Sequence, residues 1–201
     1  KSADLSKPYD GTALVNGETA LETEEGWVNG EGADYSFTGS QTLVGSSENV
    51  FSYTLKENTK ADNYNISKSH GSLTVTNRKA KYEVTLVANS SVGNTYDGTE
   101  KSATGVVTDK FTINGVEYTV SGYSTSNPTK KDAGKYANTI SGTYTVTDPA
   151  GNDVTEQFAV KTQNGELVIG KRDVTLKSAD LSKPYDGTAL VNGETALETE
   201  E

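Results

Sequence analysis

The sequence predicts an all-β protein of small antiparallel β-sandwich domains with an immunoglobulin-like look, strung in an elongated tandem array. A β-grasp-like sheet is the alternative. Three observations predict it. Strand and turn formers dominate: Gly supplies 20 of 201 residues, Thr, Ser and Asn are abundant, the large apolar residues are mostly Val, Leu and Tyr, and Met is absent. Apolar residues recur at every second position in short runs, and no segment sustains a helical period. The chain also repeats itself.

The repeat has two levels. Residues 1–25 (KSADLSKPYDGTALVNGETALETEE) recur without change as 177–201, a period of 176. A looser repeat lies inside that period. Tyr-Asp-Gly-Thr stands at 9–12, 96–99 and 185–188. "YSFTG" (35–39) reads against "YTVSG" (118–122), "YTLKE" (53–57) against "YTVTD" (144–148), and "YNISKSHGSLTV" (64–75) against "FAVKTQNGELVI" (158–169). The offsets drift over 87, 83, 91 and 94, which places insertions between strands, where loops tolerate them. The expected organisation is a first β repeat domain at 1–78, a second at 79–171, and the opening strands of a third at 172–201. A "VTL" strand precedes the second and third Tyr-Asp-Gly corners, at 84–86 and 174–176, but not the first. The first domain is therefore expected to lack part of its opening strand, and an edge so exposed seeks a partner, which a neighbouring molecule could supply. With no initiating Met, signal peptide or sorting motif, the chain reads as a piece of something longer.

The elements follow in order. "ETALETEE" (18–25) can form one helical turn at most. The first domain closes with a hairpin expected at His70-Gly71. "YEVTLVA" (82–88) alternates and opens the second domain. "FTINGVEYTV" (111–120) is two alternating arms around Asn114-Gly115, the strongest short hairpin signal. "YANTISGTYTV" (136–146) reads as one strand with Tyr136, Ile140, Tyr144 and Val146 on a common face, and a last hairpin is expected around Asn164-Gly165. The connections "TNRKA" (76–80) and "GKR" (170–172) are short and lack a Gly/Ser tract, so they favour a rod over a flexible string.

Composition removes several function classes. The formal charge is −10, from 28 acidic against 18 basic residues, and no basic cluster is present, which argues against a nucleic-acid partner. Mean hydropathy is −0.61, and no apolar run approaches the roughly 20 residues of a membrane span, so this stretch is not expected to insert in a membrane. Disorder is the competing reading of such a polar chain, and the strand-like runs of Val, Ile, Tyr and Phe weigh against it. Cysteine is absent, excluding disulfides, thiolate metal sites and a Cys nucleophile. The one histidine, His70, stands where the second repeat has Asn164, and a residue that exchanges with Asn before Gly is a turn former. No cofactor, catalytic residue or metal ligand is therefore expected. The carboxylates of "TDPAGNDVTEQ" (147–157) could gather a calcium ion, but they lack EF-hand spacing and have an ordinary turn composition. Lys, Asn, Asp and Glu are all available for an internal isopeptide or ester crosslink, without a pairing legible in the sequence. Trp27 and the tyrosines offer either core packing or an aromatic platform for sugars.

The Tyr-Asp-Gly-Thr set comprises Tyr9, Asp10 and Gly11, Tyr96, Asp97 and Gly98, and Tyr185, Asp186 and Gly187. Asp-Gly is a turn pair, because Gly takes positive φ freely and Asp bonds to backbone N–H groups close by. A catalytic Tyr–Asp pair would need a base and a pocket, and only Thr accompanies all three copies. The set is read as a structural turn motif, a corner after each domain's first strand.

On "LSKPYDGTALVNGETAL", "DAGKYANTISG" (132–142) and "NYNISKSHGSLTV" (63–75), the chain resembles the MBG/YDG-type repeat domains of large bacterial cell-surface proteins. The first domain departs from the middle pattern, with "VGSSENVFS" (44–52) where the second has "DAGKYANTIS". The resemblance implies an extracellular, non-catalytic stalk or adhesin module, anchored to a cell wall through other regions. Neighbouring repeats of the same chain would be its partners, and host glycans, mucins or matrix proteins would be partners on the alternative view of a binding module that gains avidity by repetition.

Overall fold

The computed structural model describes residues 1–18 and 20–193. Strands dominate, in several small sheets, and the helix among the described residues is two single 3-10 turns, Ala61–Asn63 and Thr155–Gln157. The fold is all-β.

One set of strands lies before residue 80: β1 (Leu5–Pro8), β2 (Leu14–Val15), β3 (Ala33–Phe37), β4 (Ser40–Gln41), β5 (Gly45–Asn49), β6 (Phe51–Leu55) and β7 (Gly71–Thr76). A second set follows: β8 (Tyr82–Val87), β9 (Ser91–Thr95), β10 (Lys101–Ser102), β11 (Lys110–Ile113), β12 (Val116–Thr125), β13 (Thr129–Lys130), β14 (Gly134–Asn138), β15 (Ile140–Thr147), β16 (Phe158–Gln163) and β17 (Gly165–Gly170). Every named ladder stays within its own set. In the first, β7 is flanked by β1 in parallel and β5 in antiparallel, with Asn49 opposite Gly71. In the second, β17 is flanked by β9 in parallel and β14 in antiparallel, with Asn138 opposite Gly165. The pairs β2–β4 and β3–β6 likewise correspond to β10–β13 and β12–β15. The second set adds the hairpin arm β11 and a parallel pair, β8 with β16.

Several expectations need correction. The sheets are not purely antiparallel, since β1–β7, β8–β16 and β9–β17 run parallel. The hairpins at His70-Gly71 and Asn164-Gly165 do not exist. There β16 belongs with β8 and β17 with β14 and β9, so the chain crosses between sheets where a hairpin would reverse it. The glycines are needed for close approach: a Cβ at Gly71 would lie 2.3 Å from the Ala3 carbonyl oxygen, and one at Gly165 would lie 2.3 Å from that of Asn89. By contrast, Asn114-Gly115 makes a true hairpin, with Ile113 opposite Val116 and φ of 51° and 80° at the two turn residues. "YANTISGTYTV" is two strands in two sheets, divided at Thr139: Tyr136 on β14 packs with Leu167 and Ile169, while Tyr144 and Val146 on β15 pack elsewhere. No helical turn forms over the described part of 18–25.

The ladders also reset the internal alignment. Phe51 opposes Phe37 two residues after Asn49, and Ile140 opposes Thr125 two residues after Asn138. Tyr35 thus corresponds to Tyr123, not to Tyr118 as the "YSFTG"/"YTVSG" match suggests. A period-2 pattern of tyrosines in a strand as long as β12 permits such a slip. The apparent departure of "VGSSENVFS" from "DAGKYANTIS" disappears for the same reason, because β5 and β14 occupy equivalent places.

The largest buried cluster joins the two sets. Tyr9 and Val75 from the first pack with Val84, Tyr118, Val120, Val146, Val154 and Phe158 from the second. A smaller cluster of Ala103, Leu167 and Ile169, capped by Tyr136, lies within the second set.

Candidate functional site

The Tyr-Asp-Gly-Thr corner has one local geometry in three settings. In each copy the Asp carboxylate accepts from the Thr two residues on: Thr12 N–H to Asp10 at 2.9 Å, Thr99 N–H to Asp97 at 2.9 Å and Thr188 N–H to Asp186 at 3.0 Å, with the Thr hydroxyl on the same oxygen each time. The intervening glycines sit at φ 82°, 79° and 78°. A lysine closes each turn: Lys7 on Asp10 at 2.8 Å, Lys101 on Asp97 at 2.7 Å and Lys183 on Asp186 at 2.9 Å. For Asp97 and Asp186 the lysine bond leads in holding the carboxyl below its ordinary range, followed by the Thr donors. At Asp10, desolvation pushes upward, and the Lys7 and Thr12 bonds together outweigh it. A turn that forms identically with and without a surrounding sheet is encoded by its own residues.

The surroundings of the three tyrosines differ. Tyr9 is 1% exposed, Tyr96 37% and Tyr185 98%. Tyr9 leaves β1 and inserts into the second set of strands. Its hydroxyl lies 3.3 Å from that of Tyr118, and the Tyr118 ring packs on Phe158 at 4.7 Å. Burial, and then the bond to Tyr118, push the Tyr9 phenol far above its ordinary pKa, and burial also raises Tyr118. The backbone around Tyr9 is bonded from both sets. Its N–H donates to the Thr76 carbonyl at 2.9 Å, and its own carbonyl accepts from the Arg78 guanidinium at 3.0 Å. That guanidinium stacks over Tyr82 at 4.0 Å. Asn114, at the tip of the β11–β12 hairpin, donates to the Asp10 carbonyl at 3.3 Å and to the Tyr82 hydroxyl at 2.9 Å. Gln157 accepts from the Arg78 N–H at 3.0 Å and donates to Asn77 at 2.6 Å. Gly11 fits beneath Tyr118 for want of a side chain, since its Cβ would stand 2.1 Å from the Tyr118 hydroxyl. At Gly98 and Gly187 a Cβ would meet nothing within 4 Å.

A groove marks the first set. It encloses about 280 Å³ and is lined by Trp27, Tyr35, Phe51, Tyr53, Tyr64 and Ile66, with Lys1, Lys68, Glu24 and Glu25 at its margin. Trp27 meets Tyr64 edge-on at 4.7 Å. The polar ends of these rings are already engaged: Trp27 Nε1 donates to Glu24 at 2.6 Å, the Tyr35 hydroxyl bonds the same carboxylate, and that of Tyr64 bonds Glu31. Burial and then the Glu24 bond push the Tyr35 phenol up to about 12.

The remaining candidates are tied up in turns. Asp148 accepts from the Ala150 and Asn152 N–H groups at 2.9 Å each and from the Asn152 side chain, and Asp153 accepts from Thr155. The carboxylates of 147–157 therefore cap their own backbone, and among the described residues no three His, Cys, Asp or Glu gather as a metal site would require. His70 pairs with Glu48 at 3.0 Å. No lysine is among the described buried residues, where a Lys–Asn crosslink would sit. Sequence reasoning missed Asn49 and Asn138, both fully buried. Their amides donate to the Ala3 carbonyl at 2.8 Å and the Asn89 carbonyl at 3.0 Å, which pins equivalent strands to equivalent places. The signal was present as "NVFS" (49–52) and "NTIS" (138–141). Compared with protein-family models, with curated proteins and with solved structures, the chain matches none.

Proposed function

We propose that this chain is a non-catalytic stalk or spacer of an extracellular bacterial surface protein, assembled from MBG/YDG-type immunoglobulin-like repeats with domains at 1–78 and 79–171 and a third opening at 172–201. The observation that supports it best is the use made of the recurrent motif. The corner that repeats along the sequence serves as a joint, with Tyr9 seated under Tyr118 and Gly11 admitting the close contact. A residue that couples one repeat to the next has a reason to recur with every repeat, whereas a catalytic pair has none. A bonded, apolar joint resists bending, and an acidic surface keeps like stalks apart.

The second reading, a glycan- or matrix-binding module, is favoured by the aromatic groove at Trp27 and Tyr64. Presenting the labelled chain to an array of host glycans and matrix proteins separates the two. The spacer reading predicts no saturable binding above background, and specific binding abolished by Trp27→Ala contradicts it.

A further inference from the structure

We propose that the groove of the first set is the seat of residues Arg172–Leu176 of a second copy of this chain, whose following residues 177–201 take the place of the identical 1–25, so that copies join head to tail. This inference is independent of the stalk reading. It begins from what the second set contains and the first does not. There β8 lies parallel to β16, with Val84 opposite Val160 and Thr85 opposite Lys161, and its Val84 and Leu86 are 5% and 0% exposed. In the first set the place of β16 belongs to Tyr64–Ser69. Like β16, this segment leaves a single 3-10 turn, and it leads into Gly71 as β16 leads into Gly165. It forms no strand, and Ile66, the counterpart of Val160, is 37% exposed.

The two ends of the empty place are already set. Ser2 N–H donates to the Ser69 carbonyl at 3.4 Å, as Ala88 N–H donates to that of Gln163 at 2.9 Å. Thr23 N–H donates to the Lys1 carbonyl at 3.2 Å, as Val107 N–H donates to that of Val87 at 2.9 Å. Lys1 and Ser2 thus stand where β8 ends, and the groove lies where the rest of β8 would run. A parallel strand beside an unpaired segment is the geometry by which sheets accept strands from other chains.

The chain carries the strand that fits. Asp173-Val174-Thr175-Leu176 reproduces Glu83-Val84-Thr85-Leu86 of β8 in charge and alternation. Val174 and Leu176 are 63% and 68% exposed and belong to no strand. Directly after them comes the exact copy of 1–25. Exchange therefore replaces twenty-five residues with the same twenty-five, seats Tyr185 where Tyr9 was, and adds the buried strand as net gain. Glu24 and Glu25 at the groove margin offer carboxylates to the entering Lys171 and Arg172. Donor end and acceptor end are different surfaces, so the association is heterologous and does not close on itself.

The test is made on the full chain, refolded from denaturant at rising protein concentration so that strands can exchange, with mass read by light scattering. Because the chain has no Cys, Ser67→Cys and Thr175→Cys chains mixed before refolding report the register directly. The expected result is mass growing with concentration, a disulfide-linked heterodimer from the mixture, and a monomer at every concentration for Val174→Asp/Leu176→Asp. Three results would overturn the proposal: a wild-type chain that stays monomeric throughout, association without the disulfide, or undiminished association of the double variant. The last two would point to another face or another occupant of the groove.

Discussion

Gly11 and Gly98 share a sequence context and a φ near 80°, yet they should respond differently to the same substitution. Gly98→Ala meets open space and carries only the left-handed backbone strain, about 1 kcal/mol. Gly11→Ala carries that strain and also drives a methyl into the Tyr118 hydroxyl, for a total of about 2–4 kcal/mol. Denaturant midpoints of the two variants check the difference. The buried phenols set the alkaline limit. Tyr9 and Tyr118 have folded-state pKa values above the ordinary 10.0, so their contribution is complete below that pH and is lost as pH rises past it. A pH series of unfolding should show stability falling above about pH 10, less steeply in Tyr9→Phe. On the acid side, the Lys1 bond and the Ser72 donors lower Asp4 to about 2 from 3.8. Its contribution is present above 3.8 and lost as pH falls toward 2, so Asp4→Asn should flatten the acid limb below pH 4.

Among the elements, the two asparagines organise the cross-sheet geometry. Each amide is buried and bonds a carbonyl of the strand that opens its set, and each stands opposite the glycine that lets that strand approach. Asn49→Ala or Asn138→Ala leaves a buried carbonyl without its donor and should cost about 1–3 kcal/mol by chemical denaturation. Strand existence was legible in the alternation of "YEVTLVA" and in the Asn114-Gly115 hairpin, because those signals are local. Pairing was not. Whether "FAVKTQNGELVI" turns back on itself or crosses to another sheet depends on which distant strand comes beside it, and no short-range pattern records that. The shared "NxxS" of 49–52 and 138–141 does record it, once the buried amide gives the Asn a reason to be there. The corner was legible because its carboxylate, glycine and threonine bond among themselves. Its role at a junction was not, since the partners Tyr118 and Phe158 lie more than a hundred residues away in sequence.

For the whole molecule, the account makes one claim above the others: the Tyr-Asp-Gly corner is a joint that couples successive repeats. Tyr9 is in the joint and Tyr185 stands in solvent, so the chain carries its own control. The most direct measurement is calorimetric unfolding at low protein concentration, where copies stay apart. The account predicts one coupled transition for the wild type. For Tyr9→Ala it predicts a loss of about 3–5 kcal/mol with the transition splitting in two, and for Tyr185→Ala no change. A Tyr9→Ala chain that unfolds like the wild type, or a Tyr185→Ala chain that loses as much, would contradict it.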